Sequence, residues 1–231
     1  RIMTSHLINS NWEVIGITKN PDSAQKLKNE FKNSNSLSTF SIDFTNEEPE
    51  KKLLEKISSY DSIYSIIHNA RSIESLKVSD GISSKSDFDK EFSMAVTYPY
   101  ILTMNLIKKN IKRVIFIGSQ YGLVAPNHLL YSDKLLSSPI QYGIAKSAQF
   151  HLVKELANRL SDQKVLVNGV ALGGVKGREN KSFEERYSQF LPLRRMLFEK
   201  ELLPVIDFLL DYRNTATTGS IVTIDGGWTS T

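Results

Sequence analysis

Short runs of β-branched and other apolar residues alternate with longer stretches of helical periodicity from one end of the chain to the other. Val14–Ile17, Thr39–Ile42, Ile63–Ile67, Val114–Ile117, Val165–Val170 and Ile221–Ile224 have the length and composition of strands. Between them, apolar positions recur with a helical period over residues 2–10, 22–31, 47–58, 86–109, 142–160 and 199–211. The second of these opens on Pro21 and Asp22, residues that favour the first turn of a helix. Strands apolar throughout, each followed by a helix, predict an α/β fold: a three-layer, Rossmann-type doubly wound parallel sheet, buried on both faces. No repeat, low-complexity stretch or linker interrupts the pattern, so residues 1–231 are expected to form a single domain.

The start departs from this plan. Arg1–Ser10 reads as a helix with Met3, Leu7 and Ile8 on one side, and no strand stands before it. A doubly wound fold opens on a strand, and the glycine-rich turn leaving that strand holds a pyrophosphate on backbone N–H groups at a helix N-terminus. That first strand and its phosphate loop are missing from these residues and are expected upstream of Arg1.

Charge narrows the function classes. The 29 Lys+Arg and 25 Asp+Glu leave a net +4, scattered rather than gathered into a stripe, so no nucleic-acid partner is expected. Without cysteine there is neither a disulfide framework nor a thiolate metal site. Histidines at 6, 68, 128 and 151 show no ligand spacing, so no metal is expected. The longest apolar runs are strand-sized, which predicts no membrane span and a cytoplasmic protein.

Candidate chemistry begins at Tyr142-Gly-Ile-Ala-Lys146, where a spacing of four places a phenol and an ammonium on one helix face, one turn apart. Tyrosine, with a reference pKa of about 10, is a poor base at neutral pH, and a nearby cation favours its phenolate. Such a pair also arises by chance, as a half-buried tyrosine beside a surface lysine. The run Ile115-Phe-Ile-Gly-Ser119-Gln-Tyr-Gly122 is a buried strand ending in a hydroxyl and a small flexible turn, where ligands bind in open α/β sheets. Ser119 there can polarise a carbonyl or simply cap a turn.

The ordered set of Ser119, Tyr142 and Lys146, then Val167-Asn-Gly-Val-Ala-Leu-Gly-Gly-Val175, then Gly219-Ser-Ile-Val-Thr-Ile-Asp-Gly-Gly-Trp228, resembles the short-chain dehydrogenase/reductase family. The likeness runs from about residue 1 to the C-terminus. It implies an oxidoreductase that transfers a hydride between a nicotinamide cofactor and a carbonyl or hydroxyl group of a small polar substrate. By resemblance Ser119 orients the substrate oxygen, Tyr142 donates or removes its proton, and Lys146 lowers the tyrosine pKa and binds the nicotinamide ribose. Further cofactor contacts implied are Asp43 and Phe44 in Ser41-Ile-Asp-Phe-Thr-Asn46, Asn69 and Ala70 in His68-Asn-Ala-Arg71, and Gly173 and Val175. After the strand at Val14–Ile17 comes Thr18-Lys19-Asn20, in which Thr18 and Lys19 are candidate cofactor contacts; the absence of an acid and the presence of Lys19 favour NADP(H) over NAD(H).

Departures keep a second reading open, that of a catalytically impaired dinucleotide-binding or structural relative. Ala95 stands where the family has a helix-borne asparagine that helps hold a water chain to the lysine, and Leu172 and Gly177 replace a proline and a threonine. The stretch between Ser119 and Tyr142 is long for the family, and its Gln120, Tyr121 and Tyr131 are candidate substrate residues. It resembles members encoded with bacterial surface-polysaccharide or nonulosonic-acid genes, which implies a sugar-derived substrate. The resemblance also implies a homodimer or homotetramer built on the helix around 88–109 and the Tyr142 helix, burying Met94, Met104 and Phe150.

Overall fold

All six predicted strands form, and every ladder between them is parallel. The computed structural model describes residues 1–231 except Asn33, Thr45, Glu47, residues 72–75, 77–81 and 132–136, Arg178, Glu179 and Thr231. Two units divide the chain, Arg1–Asp61 and Ser62–Thr231.

The first unit runs α1 (Ile2–Asn9), β1 (Val14–Thr18), α2 (Pro21–Glu30), β2 (Leu37–Ser41) and α3 (Pro49–Lys56). Asn20 starts α2: its Oδ1 accepts from Ser23 N–H at 2.9 Å, while Pro21 occupies a position whose missing N–H costs nothing. β1 and β2 pair from Val14↔Leu37 to Thr18↔Ser41. Gly16 lets α2 settle on this ladder, because a Cβ there would lie 3.0 Å from Leu27 Cδ2. Leu7, Ala24, Leu27, Ile42, Leu53 and Ile57 are the unit's buried apolar residues.

The second unit carries β3 (Ser65–His68), α4 (Lys85–Phe92), α5 (Tyr98–Leu106), β4 (Arg113–Ile117), α6 (Ile140–Arg159), β5 (Leu166–Leu172), α7 (Lys181–Gln189), α8 (Leu203–Leu210) and β6 (Ile221–Ile224). Its sheet has the order β3-β4-β5-β6, and β4 is buried along its whole length, as a central strand covered on both faces must be. The pattern had suggested one sheet. Among the described residues there are two sheets, since no described strand pairs with both β1 and β3.

Three local readings change. The helix expected over 86–109 is interrupted by a π-helical turn at Ser93–Thr97, in which Tyr98 N–H bonds Ser93 O, five residues back. Pro99 is the physical reason, since an α-helical ladder would need an N–H from it for the Ala95 carbonyl. α7 lies outside every predicted helix. Phe183 and Tyr187 are the only large apolar side chains in its nine residues, too few to reveal a period, although Asn180 caps it through Phe183 N–H at 2.9 Å. Phe150, expected at an interface between subunits, instead lies inside its own unit against Gly118, Gly122 and Gly169.

His68, at the end of β3, is buried with its ring 4.7 Å from that of Phe116 and its Nε2 2.9 Å from Thr103 Oγ1. Burial holds its pKa down to about 3. An unfolded chain protonates this ring near pH 6.5, whereas the native chain refuses the proton. Its contribution to stability is therefore complete above that pH and is lost as pH falls toward 3. His68→Asn should flatten this dependence, sparing on the order of 2 kcal/mol between pH 6.5 and 5. Calorimetric melts of both proteins across that range decide it, and parallel melting curves would reject the assignment.

Candidate active site

One strand end and one long helix carry the predicted catalytic residues, all in the second unit. β4 ends at Ile117, and Gly118 and Ser119 follow it into a 3-10 turn at Gln120–Gly122. Ser119 is buried, and its Oγ accepts from Tyr121 N–H at 3.2 Å, so it does cap the turn while keeping its own proton to donate. α6 lies directly on this turn. A Cβ at Gly122 would come within 2.8 Å of the Lys146 carbonyl carbon, and one at Gly143 within 3.1 Å of Tyr121 O. Glycine at both places lets backbone approach backbone, which is how the serine turn and the tyrosine helix reach one neighbourhood.

Tyr142 is half-buried on the first turn of α6, and Lys146 lies one turn further in, 5% exposed. The lysine Nζ is 6.0 Å from the centre of the Tyr142 ring. It donates to Ile117 O at 3.1 Å and to Gln149 Oε1 at 3.2 Å. Burial lowers its pKa to about 8; the buried Glu91 carboxylate opposes that fall and the Arg71 guanidinium adds to it. Arg71 itself is exposed, with its guanidinium carbon 5.1 Å from the Tyr142 ring centre, so two cations lie near this ring.

The remaining candidates are more dispersed. Asn69 and Ala70 are exposed just past β3, and Gly173 and Val175 follow β5, Gly173 N–H bonding Ile224 O at 2.8 Å and Val175 bridging to Leu197. In the first unit, Thr18 ends β1 with its hydroxyl on Asn20 O at 3.1 Å, Lys19 is exposed in the turn, and Asp43 and Phe44 are half-buried after β2. Gln120 is turned inward, 2% exposed, and accepts from Tyr187 Oη–H at 2.9 Å, while that phenol oxygen accepts from Gly174 N–H at 2.8 Å. Tyr121 has its pKa pushed up by burial and by Tyr131. Tyr131 packs on Phe183 and against the cluster of Leu130, Tyr187, Leu191, Met196 and Trp228. The loop between Ser119 and Tyr142 includes residues 132–136, which lie outside those described.

Gln149, Glu91 and Tyr187 escaped the sequence reading. Gln149 alone carried a legible signal, a polar side chain three residues beyond Lys146 on a helix face otherwise filled with Ala145, Phe150 and Val153. The other two depend on contacts distant in the chain.

A family model described as Enoyl-(Acyl carrier protein) reductase matches residues 3–229. The chain is 27% identical over 121 residues to the post-translational flagellin modification protein A of Campylobacter coli, a match covering 52% of this chain and 47% of that protein. It spans about half the length of the curated relatives that it matches first. Among solved structures, a short-chain dehydrogenase of Leptospira borgpetersenii with bound NAD+ superposes with a TM-score of 0.82 at 21% identity, over 99% of this chain and 87% of that one. The RhlG/NADP active-site complex of Pseudomonas aeruginosa superposes with a TM-score of 0.85 at 19% identity, over 98% and 90%. These structural likenesses confirm the α/β parallel-sheet Rossmann fold, and one family model runs through both units. The chain belongs to the short-chain dehydrogenase/reductase family of NAD(P)-dependent oxidoreductases.

Proposed function

We propose that this protein interconverts a carbonyl and a hydroxyl group on a small polar molecule, with NADP(H) preferred to NAD(H), and that residues 1–231 work as one domain of a homodimer or homotetramer. The observation that carries the reading is the buried Lys146 ammonium held beside the Tyr142 ring, on the helix that lies against the Ser119 turn. A buried cation is costly to keep without a use, and this one is held beside the one phenol on its helix face.

The donor set suits a nicotinamide nucleotide. Two of the three lysine donors bond Ile117 O and Gln149 Oε1, and a ribose hydroxyl is a fitting acceptor for the third. Asn69, Ala70, Gly173 and Val175 take the other nicotinamide-end roles that the resemblance implies, and Thr18, Lys19, Asp43 and Phe44 the adenosine-end ones. When bound, the nicotinamide supplies or accepts the hydride. Ser119 donates its hydroxyl proton to the substrate oxygen, Tyr142 gives or takes the proton that balances the transfer, and Lys146 steadies the phenolate that results.

A sugar derivative is the finer reading of the substrate. Its support is the presence of Tyr121 and Tyr131 in the loop between Ser119 and Tyr142 and the similarity to a protein named for flagellin modification. The competing reading, an impaired relative, draws on Ala95, Leu172 and Gly177 in place of the family's asparagine, proline and threonine. Fluorescence titration of the full-length protein with NADPH and NADH, followed by assays on a ketose, a 3-oxoacyl thioester and diacetyl, separates the two. NADPH should bind more tightly, and Lys19→Asp should weaken NADPH about tenfold while hardly touching NADH, by setting a repulsive charge near the 2′-phosphate. Equal weakening of both would make Lys19 an ordinary surface residue, and tight binding without turnover of any carbonyl would favour the impaired relative.

A further inference from the structure

Pro99 has no N–H for the Ala95 carbonyl, and a different helix supplies one: Gln149 Nε2 donates to Ala95 O at 2.9 Å. The other end of the same amide, Oε1, accepts from Lys146 Nζ at 3.2 Å. A backbone carbonyl only accepts and an ammonium only donates, so a single orientation of the amide satisfies both partners. The amide is therefore a strut between the π-helical turn and the lysine. Both its ends lie in the interior, with Ala95 and Gln149 each 2% exposed.

A lysine carries its charge on four flexible bonds, and burial alone does not decide where that charge sits. Here Ile117 O fixes one donor from β4 and Gln149 fixes a second from the next turn of α6. We propose that Gln149 is the positioning residue that holds the Lys146 ammonium beside Tyr142, its amide tying the lysine to the backbone at Ala95. The proposal rests on the reading of Tyr142 and Lys146 as an acid/base pair. Ala95 is then no sign of lost function: a small side chain leaves its carbonyl open to Gln149.

An acceptor on a buried ammonium also favours its charged form, so Gln149 bears on the lysine titration. The other charged or titratable groups facing Lys146 are Glu91 from α4, Arg71 from the segment after β3, and Tyr142 from its own helix. None of these changes when Gln149 alone is replaced.

The test uses the full-length protein labelled with 13C at the lysine ε-carbons, the Lys146 signal being assigned by its loss in Lys146→Arg. Gln149→Met keeps the length but removes the acceptor, and should lower the Lys146 titration by about one pH unit; Gln149→Glu keeps an oxygen there and should raise it by about one. In NADPH-dependent reduction of diacetyl, Gln149→Met should lower kcat about tenfold with KM unchanged, and Gln149→Glu should stay within about threefold of the parent. A merely structural loss moves the titration the same way, or not at all, in both variants, and that outcome overturns the proposal. If Tyr142→Phe retains full kcat, the acid/base reading falls and takes the proposal with it. If Tyr142→Phe is inactive while the Lys146 titration ignores both Gln149 variants, the proposal falls alone.

Discussion

Tyr142→Phe should lower kcat by about 10²–10⁴-fold while leaving cofactor affinity and melting temperature close to those of the parent. Only a hydroxyl is removed, from a half-buried ring that keeps its place on the first turn of α6 beneath Arg71 and ahead of Lys146. The loss should fall on kcat rather than KM, because proton transfer is made in the transition state and not in substrate binding. Steady-state kinetics over a range of pH are the measurement. An unchanged kcat would leave Tyr142 as a packing residue and remove the chemistry assigned to this helix.

The second large effect concerns stability. Phe150, two turns beyond Tyr142 on α6, fills the space that side chains at Gly118 and Gly122 would need. A Cβ at Gly118 would lie 2.2 Å from Phe150 Cε1 and 2.4 Å from Cζ, and one at Gly122 2.7 Å from Cε2. Phe150 is buried and β4 beneath it is wholly enclosed, so the ring has nowhere to retreat. Gly118→Ala should therefore cost on the order of 1–3 kcal/mol through overpacking. Phe150→Leu on its own should cost a similar amount by leaving a void. Together they should cost much less than the sum, the smaller side chain making room for the methyl group, and urea unfolding of the four proteins yields that coupling. Additive losses would mean that the ring and the glycine do not meet as described.

Much of this was legible along the chain, for reasons that differ from place to place. Strands such as Val114–Ile117 are apolar on both faces because both faces are covered, and that leaves a local trace. Tyr142 and Lys146 are readable because helical spacing converts sequence distance directly into neighbourhood. What escaped depends on partners far off in sequence. Gln149 is a polar residue on a buried face whose two partners lie on another helix and three residues back, and nothing local says that it has both. The inward turn of Gln120 depends on Tyr187, sixty-seven residues later. α7 stayed hidden because two aromatic side chains in nine residues do not make a period.

The turn at Ser93–Thr97 holds five residues to a hydrogen-bonded loop where its flanking helices hold four. Five residues in such a turn sweep nearly the same angle as four in an α-helix, so the extra residue shifts the sequence count and not the face: Leu102, Thr103 and Leu106 stay on the side on which they are buried. The turn thus takes up one residue more than a regular helix would hold, without breaking the buried face that continues beyond it.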